Sequence, residues 1–174
     1  MTQFDLSRCI SAPFLDASNG KEEIPVAIID LDNCFSNDKW RWPLFDLHLP
    51  VVNDRYQRYH EACESDTFEN VSTLREMSAH HYLLPFTSRP ESVRLKTQRW
   101  LNRYRIPNIG MFMRPNDNHE PSVPLKRAML KALPPQFKVY MAVDDRHDIL
   151  DMHVGEGVPR VMQVIINQPE VIHP

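Results

Sequence analysis

Glycine is scarce in this chain, with only four among 174 residues. No segment matches a Walker A loop or a GxGxxG dinucleotide turn, because each of these motifs needs glycines at fixed spacing to bring the backbone close to phosphate. The scarcity of glycine therefore disfavours nucleotide-driven kinase chemistry and Rossmann-type redox chemistry.

Cysteine, net charge and long apolar runs are limited as well. The three cysteines, Cys9, Cys34 and Cys63, lack the spacing of metal ligands and are too few for a disulfide framework, so we expect free thiols in a reducing compartment. A formal net charge of −3 offers no general attraction to a polyanion. No run approaches the length of a membrane span and the N-terminus lacks the pattern of a secretory signal, so we expect a cytoplasmic protein without membrane association.

Three apolar runs, each the length of a buried strand, end abruptly on polar residues. With the residues that follow them, the runs are 24–29 with Asp30 and Asp32, 82–86 with Thr87, Ser88 and Arg89, and 139–143 with Asp144 and Asp145. Helical patterns separate the runs, which predicts an α/β fold with a parallel sheet. Open α/β sheets bind ligands just beyond the carboxyl ends of their strands. We therefore expect these polar side chains to share one crevice.

The sequence predicts an N-terminal arm followed by one α/β domain. Residues 1–23 are irregular, and we expect this arm to wrap the surface or to be partly disordered. Residues 24–174 suffice for one domain with a hydrophobic core. After the first run, the segment NDKWRWPLFDLHLP is rich in aromatic residues and broken by prolines, which is typical of a loop lying over the strand ends. No large second lobe fits there.

Periodicity in the remaining segments predicts further helices and two short strands. They are helices at 53–63, from Asp66 through FENVSTLREMSAHHY, at 93–104, around Lys126 and at 148–157, and strands at 109–113 and 160–166. The helix at 93–104 carries Lys96, Arg99 and Arg103 on one face. That face either follows a nucleic-acid backbone or, as we favour, is an ordinary solvated surface. Pro85 lies inside the second apolar run and predicts a bulge or an early strand end there.

The predicted crevice holds four carboxylates, which repel one another unless they bind a cation or raise some of their pKa values. Because the candidate ligands are all oxygens, Mg²⁺ is the natural occupant. One carboxylate could attack phosphorus while a neighbour acts as general acid and then general base, and Asp30 and Asp32 suit these roles. Lys126 and the hydroxyl of either Thr87 or Ser88 could bind phosphoryl oxygens.

The order of these residues resembles the four motifs of the haloacid dehalogenase-like (HAD) phosphatase superfamily. The matching residues are Asp30 and Asp32, Thr87 and Ser88, Lys126, and Asp144 and Asp145. The resemblance implies a Rossmann-like three-layer parallel sheet with a central first strand and a minimal cap, Mg²⁺ as cofactor, and hydrolysis through a phosphoaspartate. It also implies that Asp30 is the nucleophile and a metal ligand, and that Asp32 is the acid/base and binds the metal through its backbone carbonyl. Asp144 and Asp145 would hold the metal directly or through water, with Asp145 favoured as the direct ligand.

A narrower resemblance is to the 3′-phosphatase domain of phage-type polynucleotide kinases. It rests on Thr87-Ser88-Arg89, on MRP before the helix of Lys126, and on the segment AVDDRHDILDMHVGEGVPRVMQV. The resemblance implies that Arg89 and Arg146 bind substrate or organise the acidic pair. Ser88 is a further candidate for contact with the substrate.

The segment after the first run adds candidates and a departure from the family pattern. Trp40 and Arg41 are predicted to bind substrate, and with Trp42 they lie where aromatic rings could stack on a base. The alternative for the tryptophans is simple packing against the domain. Asn33-Cys34 stands where the first motif usually continues with Gly-Thr, so the substrate is the point that the sequence leaves open.

These observations predict a Mg²⁺-dependent phosphomonoesterase that acts on nucleotides or on nucleic-acid 3′-phosphate ends. The acidic pI of about 6.2 favours a free nucleotide, and the narrower resemblance favours a polynucleotide end. The alternatives are a HAD phosphatase of other small phosphoesters and a catalytically inactive module that keeps the fold for binding. Both aspartates of the first motif are present, which argues against the inactive module. The oligomeric state is left open.

Overall fold

A five-stranded parallel sheet forms the centre of the computed structural model, which describes residues 3–16, 23–46, 48–50 and 52–166. In chain order the strands are β1 (Ile24–Ile29), β2 (Ser36–Asn37), β3 (Thr67–Phe68), β4 (Tyr82–Pro90), β5 (Phe112–Arg114), β6 (Phe137–Asp144) and β7 (Val161–Gln163). The order across the main sheet is β5-β4-β1-β6-β7, and β2 pairs with β3 in a separate antiparallel ribbon. The first strand is therefore central, as the resemblance implied.

Helices cover both faces of the main sheet and give the fold three layers. They are α1 (Leu6–Cys9), α2 (Ala12–Asp16), α3 (Val52–Glu61), α4 (Val71–Ser78), α5 (Arg94–Arg103), α6 (Ser122–Lys131) and α7 (His147–Gly155), with 3₁₀ turns at Lys39–Leu44, Cys63–Ser65 and Glu91–Val93. Helices α4 and α5 share a core cluster with Ala27 and Ile29, and α6 shares another with Val26 and Ile28. Successive strand residues point to opposite faces, so a strand covered on both sides is apolar throughout.

The register of the sheet aligns the carboxyl ends of its three central strands. Ile29 pairs with Pro85 of β4 on one side and with Val143 of β6 on the other. The Asp30 N–H donates to the Val143 carbonyl oxygen at 2.9 Å, which continues this alignment past the end of β1. The polar residues that end the three apolar runs are therefore brought to one edge.

Strand β4 is longer than its apolar run predicts. It continues past Phe86 to Pro90. Pro85 still pairs with Ile29, and the break in register lies between Phe86 and Pro90 on the side of β5. The bulge or early strand end predicted at Pro85 is therefore wrong, because the strand continues through Pro85 and its register breaks only further on.

The helix expected from Asp66 begins later, at Val71. Thr67–Phe68 pair instead with Ser36–Asn37 as β3 and β2. Asn70 has a φ of 53°, a left-handed conformation that interrupts a right-handed helix. Because of this short ribbon, Asp66 lies outside the helix and is completely buried near the carboxyl edge of the sheet.

The segment between β1 and β4 forms only a small cover over that edge. Its aromatic part, predicted as a loop, contains the 3₁₀ turn Lys39–Leu44. Within the described residues this segment builds β2, β3, α3 and α4 but no separate lobe, in keeping with a minimal cap. No helix in the described part of the chain is both long and apolar enough to cross a membrane.

The described part of the N-terminal arm is docked on the domain rather than irregular. It forms α1 and α2, and Ile10, which is 1 % exposed, bridges to Gly110. Gly110 has a φ of 145°, and a Cβ there would lie 2.1 Å from the Cys9 carbonyl oxygen, so the close approach requires glycine. Residues 17–22 of the predicted arm lie outside the described ranges, and the division into arm and domain stays a prediction.

His153 on α7 makes the stability of this fold sensitive to pH. The side chain is 1 % exposed, and its Nδ1 has no hydrogen-bond partner among the described residues. Burial, assisted by the Lys126 ammonium, lowers the pKa of His153 to about 4. The unfolded chain binds a proton near pH 6.5 and the folded chain does not, so stability is lost as pH falls towards 4.

We predict that this histidine makes the free energy of unfolding fall by about 2 kcal/mol between about pH 7.5 and about pH 5. His153→Gln should remove that part of the pH dependence, as measured by urea unfolding at the two pH values. His147→Gln, at the exposed start of the same helix, is the matched control and should keep the wild-type dependence. An unchanged dependence in His153→Gln would contradict the assignment.

Candidate active site

The carboxyl edge of the sheet opens into a cavity of about 740 Å³. Its wall contains residues that follow each of the three apolar runs, together with Lys126 and Arg146. They are Asp30, Asp32, Ser88, Lys126, Asp144, Asp145 and Arg146. The guanidinium of Arg146 pairs with Asp148 at 2.6 Å. The structure thus brings together residues that the sequence predicted to meet, while their roles in catalysis stay predictions.

Lys126 joins two of these carboxylates. Its Nζ donates to Asp30 Oδ1 at 2.5 Å and to Asp144 Oδ2 at 2.6 Å. Burial opposes the charged form, but the two carboxylates outweigh it and hold the pKa of Lys126 above its usual range. Helix α6 therefore supplies a buried ammonium group, not a solvated surface lysine.

Asp30 lies in a site with an excess of negative charge. Burial, with a smaller contribution from Asp144 and Asp145, raises the pKa of Asp30 well above its usual range, although Lys126 opposes this shift. Three carboxylates face a single ammonium group, so full ionisation would leave two negative charges uncompensated among the described side chains of this cluster. A divalent cation would balance that excess.

The donor atoms around this cluster suit Mg²⁺. One oxygen of Asp30 and one of Asp145 lie within 4.8 Å of each other and of Cys34 Sγ. The thiol is a poor ligand here, because burial raises the pKa of Cys34 and its Sγ donates to the Val164 carbonyl at 3.2 Å. Asn33 Nδ2 donates to Asp145 Oδ2 at 2.9 Å and so orients that carboxylate. The oxygen set that remains is the kind Mg²⁺ prefers.

Asp32, two residues after Asp30, has an opposite environment. Arg89 reaches it through Nε at 3.0 Å and Nη2 at 2.5 Å, and Arg41 Nη2 lies 2.8 Å from it. Burial alone would raise the pKa of Asp32, but the guanidinium groups of Arg89 and Arg41 hold it well below its usual range. Asp32 is therefore a firmly ionised carboxylate at neutral pH.

Asp66 anchors both arginines from behind. Arg41 donates to it through Nε at 2.7 Å and Nη2 at 2.6 Å, and Arg89 Nη2 lies 3.2 Å away. Trp40 Nε1 donates at 2.9 Å, and Ser36 Oγ donates as well. Burial raises the pKa of Asp66, but the N–H donors that converge on its two oxygens require the carboxylate form. Sequence reasoning missed this residue because it was assigned to a helix.

Aromatic side chains form one wall of the cavity. We call Trp42, Phe45, Tyr56 and Tyr59 the aromatic wall. Asp38, 5 % exposed, fixes two of the rings, since it accepts from Tyr59 Oη at 2.5 Å and from Trp42 Nε1 at 3.1 Å. Phe45 packs between the two tyrosines, with ring centroids 5.0 Å from Tyr56 and 4.4 Å from Tyr59.

Arg114, at the end of β5, also lines the cavity, and sequence reasoning did not identify it as a candidate functional residue. Its guanidinium donates to the carbonyl oxygens of Ser88 and Glu120 and to Asn118 Oδ1. It forms no ion pair within the described ranges, although the charge of Glu120 acts on it, and it places a guanidinium in the cavity wall. The signal was present in the sequence, because Arg114 ends a predicted strand as the other polar residues do.

Three residues predicted to bind substrate lie outside the cavity lining. Arg41 and Arg89 are completely buried behind Asp32, so their placement fits the positioning of Asp32, and their contact with substrate stays a prediction. The indole N–H of Trp40 is bonded to Asp66, and the cavity wall contains Trp42 instead.

The two candidate hydroxyls are separated by burial. Thr87 is 1 % exposed, and its Oγ1 accepts a hydrogen bond from the Arg89 N–H at 3.2 Å. Ser88 lines the cavity, with its Oγ 3.0 Å from Ser122 Oγ. The structure thus favours Ser88 as the hydroxyl that meets a ligand, and the catalytic role of Thr87 stays a prediction.

The basic side chains of α5 bind acidic and carbonyl groups of the same chain. Arg99 lies 2.7 Å from Glu64, and Arg103 lies 3.8 Å from the same carboxylate. Lys96 Nζ donates to the Glu61 carbonyl at 2.8 Å. These contacts agree with the favoured interpretation of a solvated helix surface.

The family model of the polynucleotide kinase PNKP phosphatase domain, HAD_PNKP, matches residues 27–167. The chain belongs to this family. It is therefore a phosphatase of the HAD superfamily, as the order of its motifs predicted. No curated protein matches the sequence.

Solved structures support the same fold. A chain of the Pnkp1/Rnl/Hen1 RNA repair complex is similar with a TM-score of 0.63 and 20 % identity, over 82 % of this chain and 42 % of that one. A class C acid phosphatase from Bacillus anthracis with bound tungstate has a TM-score of 0.55 and 13 % identity, over 87 % and 71 % of the two chains. The chain spans less than half the length of the first of these structures. At such identities the likeness establishes the Rossmann-like α/β fold.

We predict that Asp66→Asn lowers the free energy of unfolding by about 3 to 5 kcal/mol, because it removes a buried partner of two buried arginines. Phosphatase activity should fall with it, since Arg41 and Arg89 would no longer be fixed against Asp32. Urea unfolding and phosphate release measure the two effects.

The matched control is Glu64→Gln. Glu64 is also shared by two arginines, Arg99 and Arg103, but these are exposed on the surface. Solvent screens such pairs, so the control should lose much less stability and keep its activity. Equal losses in the two variants would argue against the anchoring role of Asp66.

Proposed function

We propose that this phosphatase is a Mg²⁺-dependent phosphomonoesterase that works through a phosphoaspartate on Asp30 and acts on nucleic-acid 3′-phosphate ends. The observation that carries the proposal is the bridge from Lys126 to Asp30 and Asp144 beside the cavity. The bridge holds the carboxylate of the candidate nucleophile in place. One ammonium group does not balance the negative charge of the cluster, so a divalent cation can still bind there together with a phosphoryl group.

Asp30, Asp144 and Asp145 are the side chains that would hold Mg²⁺, with the backbone carbonyl of Asp32 as a further ligand. Asp145 is the proposed direct ligand, because hydrogen bonds from Lys126 and from the Arg146 N–H already occupy both carboxylate oxygens of Asp144. When bound, the cation offsets the excess negative charge and polarises the phosphoryl group.

Asp30 is the proposed nucleophile. Lys126 occupies Asp30 Oδ1, which leaves the other carboxylate oxygen to attack phosphorus. The bond from phosphorus to the ester oxygen breaks, and that oxygen takes a proton from solvent water in the open cavity and leaves as a hydroxyl. Water then attacks the phosphoaspartate, which releases inorganic phosphate and restores the Asp30 carboxylate. Ser88 and Lys126 are placed to stabilise charge on the phosphoryl oxygens.

Asp32 is proposed to activate the attacking water as general base. Asp32 is ionised at neutral pH, which is the form a general base starts from, although Arg41 and Arg89 lower its basicity. The other half, donation of a proton to the leaving group, requires a protonated Asp32. Both guanidinium groups oppose that form, so we infer that Asp32 contributes mainly to hydrolysis of the phosphoaspartate.

The proposed substrate follows from access and from family. The small cover between β1 and β4 leaves the cavity open to a polymer end, and Arg114 offers a positive charge to a phosphate group near the site. Membership of a polynucleotide phosphatase family supports a nucleic-acid end. Free nucleotides, favoured by the acidic pI, are the second candidate. Other small phosphoesters and a purely binding role are less well supported, because the complete carboxylate and lysine cluster is present.

We also propose a cytoplasmic location. Cys9, Cys34 and Cys63 are all free and buried, which agrees with a reducing compartment.

We predict that Asp30→Asn lowers phosphate release from an aryl phosphate on the order of a thousand-fold or more, because the amide cannot form the phosphoaspartate. A chelator should abolish wild-type activity, and added Mg²⁺ should restore it. Asp151→Asn, which changes an exposed carboxylate on α7, should behave as wild type. Substantial activity in Asp30→Asn would exclude the covalent mechanism.

A substrate panel tests the nucleic-acid proposal. DNA and RNA oligonucleotides with 3′-phosphates should react faster than deoxynucleoside 3′- and 5′-monophosphates, and added salt should slow the oligonucleotide reaction, since phosphate contacts weaken in salt. Steady-state phosphate release is the measurement. Mononucleotides that react as fast as oligonucleotides, without an effect of salt, would favour the free-nucleotide alternative.

A further inference from the structure

Trp40 and Trp42 have similar exposure and similar hydrogen bonds, but they differ in their position relative to the cavity. Trp40 is 49 % exposed and Trp42 is 51 % exposed. Each donates its indole N–H to a buried carboxylate, Trp40 to Asp66 and Trp42 to Asp38. Only Trp42 of the two lines the active-site cavity. A ligand in the cavity can therefore contact the ring of Trp42 but not that of Trp40.

The ring of Trp42 is fixed before any ligand arrives. Asp38 is buried and is itself held by Tyr59, whose ring packs against Phe45. Half of the indole surface nevertheless remains exposed, and Tyr56 beside Phe45 is 38 % exposed. Exposed apolar rings held rigid inside a cavity cost little entropy when a flat ligand packs on them.

The cavity is larger than a phosphoryl group needs. Its volume of about 740 Å³ lies within the range that encloses a whole small ligand. The cavity is also continuous from Asp30 to the aromatic wall, so a group attached to the phosphate can extend to Trp42. A nucleobase is such a group, since it is flat and stacks on aromatic rings whatever its identity.

We propose that the aromatic wall binds the base of the nucleotide that carries the 3′-phosphate, by stacking on Trp42. The inference rests on the proposed function, and it adds that the enzyme recognises the terminal base as well as the phosphate. Because stacking does not depend on hydrogen bonds to base edges, the four bases are expected to be bound with little discrimination.

Two substrates test the inference: an oligodeoxynucleotide with a 3′-phosphate on a normal terminal nucleotide, and the same strand whose terminal nucleotide is abasic. Wild type should show a kcat/KM about 5- to 150-fold higher on the normal end. Trp42→Ala should lose this ratio, with little change on the abasic end. Trp42→Phe keeps an aromatic face without the N–H and should retain most of the ratio.

Trp40→Ala is the matched control. It removes an equally exposed indole that also bonds a carboxylate, so it can lower both rates through Asp66 but should leave their ratio unchanged. Equal hydrolysis of the two ends by wild type, or loss of the ratio in Trp40→Ala and Trp42→Ala alike, would overturn the inference and leave the proposed function standing. Failure to hydrolyse either 3′-phosphate end, with an aryl phosphate still cleaved, would overturn the nucleic-acid proposal itself.

Discussion

Charge compensation between buried carboxylates and buried cations is the constraint on which this site depends. Parallel strands deliver Asp30, Asp144 and Asp145 to one edge, where desolvation and the neighbouring carboxylates raise the pKa of Asp30. Lys126 bridges two of them with a single ammonium group, 2.5 and 2.6 Å from their oxygens. It stabilises the cluster without neutralising it, which is the state that a site for a divalent cation and a phosphate requires.

The first motif contains two aspartates whose environments drive their pKa values in opposite directions. Asp30 is desolvated beside other carboxylates, and its pKa rises, whereas Asp32 is held by two guanidinium groups and its pKa falls. The raised pKa of Asp30 opposes the ionised form that attacks phosphorus, so the role proposed for Asp30 depends on positive charge in addition to Lys126. The opposite shift at Asp32 depends on Asp66, which holds Arg41 and Arg89 in place from outside the cavity.

The main sheet and the walls of the cavity differ in what they say about function. The sheet is shared with solved structures that are only 13 to 20 % identical, so this likeness establishes the fold. We expect substrate recognition to depend on the residues that form the cavity walls. The aromatic wall comes from the region after β1, and Arg114 comes from the end of β5. Variation in these segments can change the substrate while the carboxylate cluster stays the same.

The sequence by itself determined the strand β1 and the meeting of the strand ends that carry Asp30 and Asp144, because apolar periodicity and strand ends are local signals. The order of the motifs added the superfamily and, through that resemblance, the place of Lys126 in the same crevice. Only the tertiary structure decided that Ser88 lines the cavity, that Arg89 lies behind it and that Trp42 belongs to its wall. Those outcomes depend on contacts between distant parts of the chain: 57 residues separate Arg89 from Asp32. No local pattern states which buried cation will compensate which carboxylate.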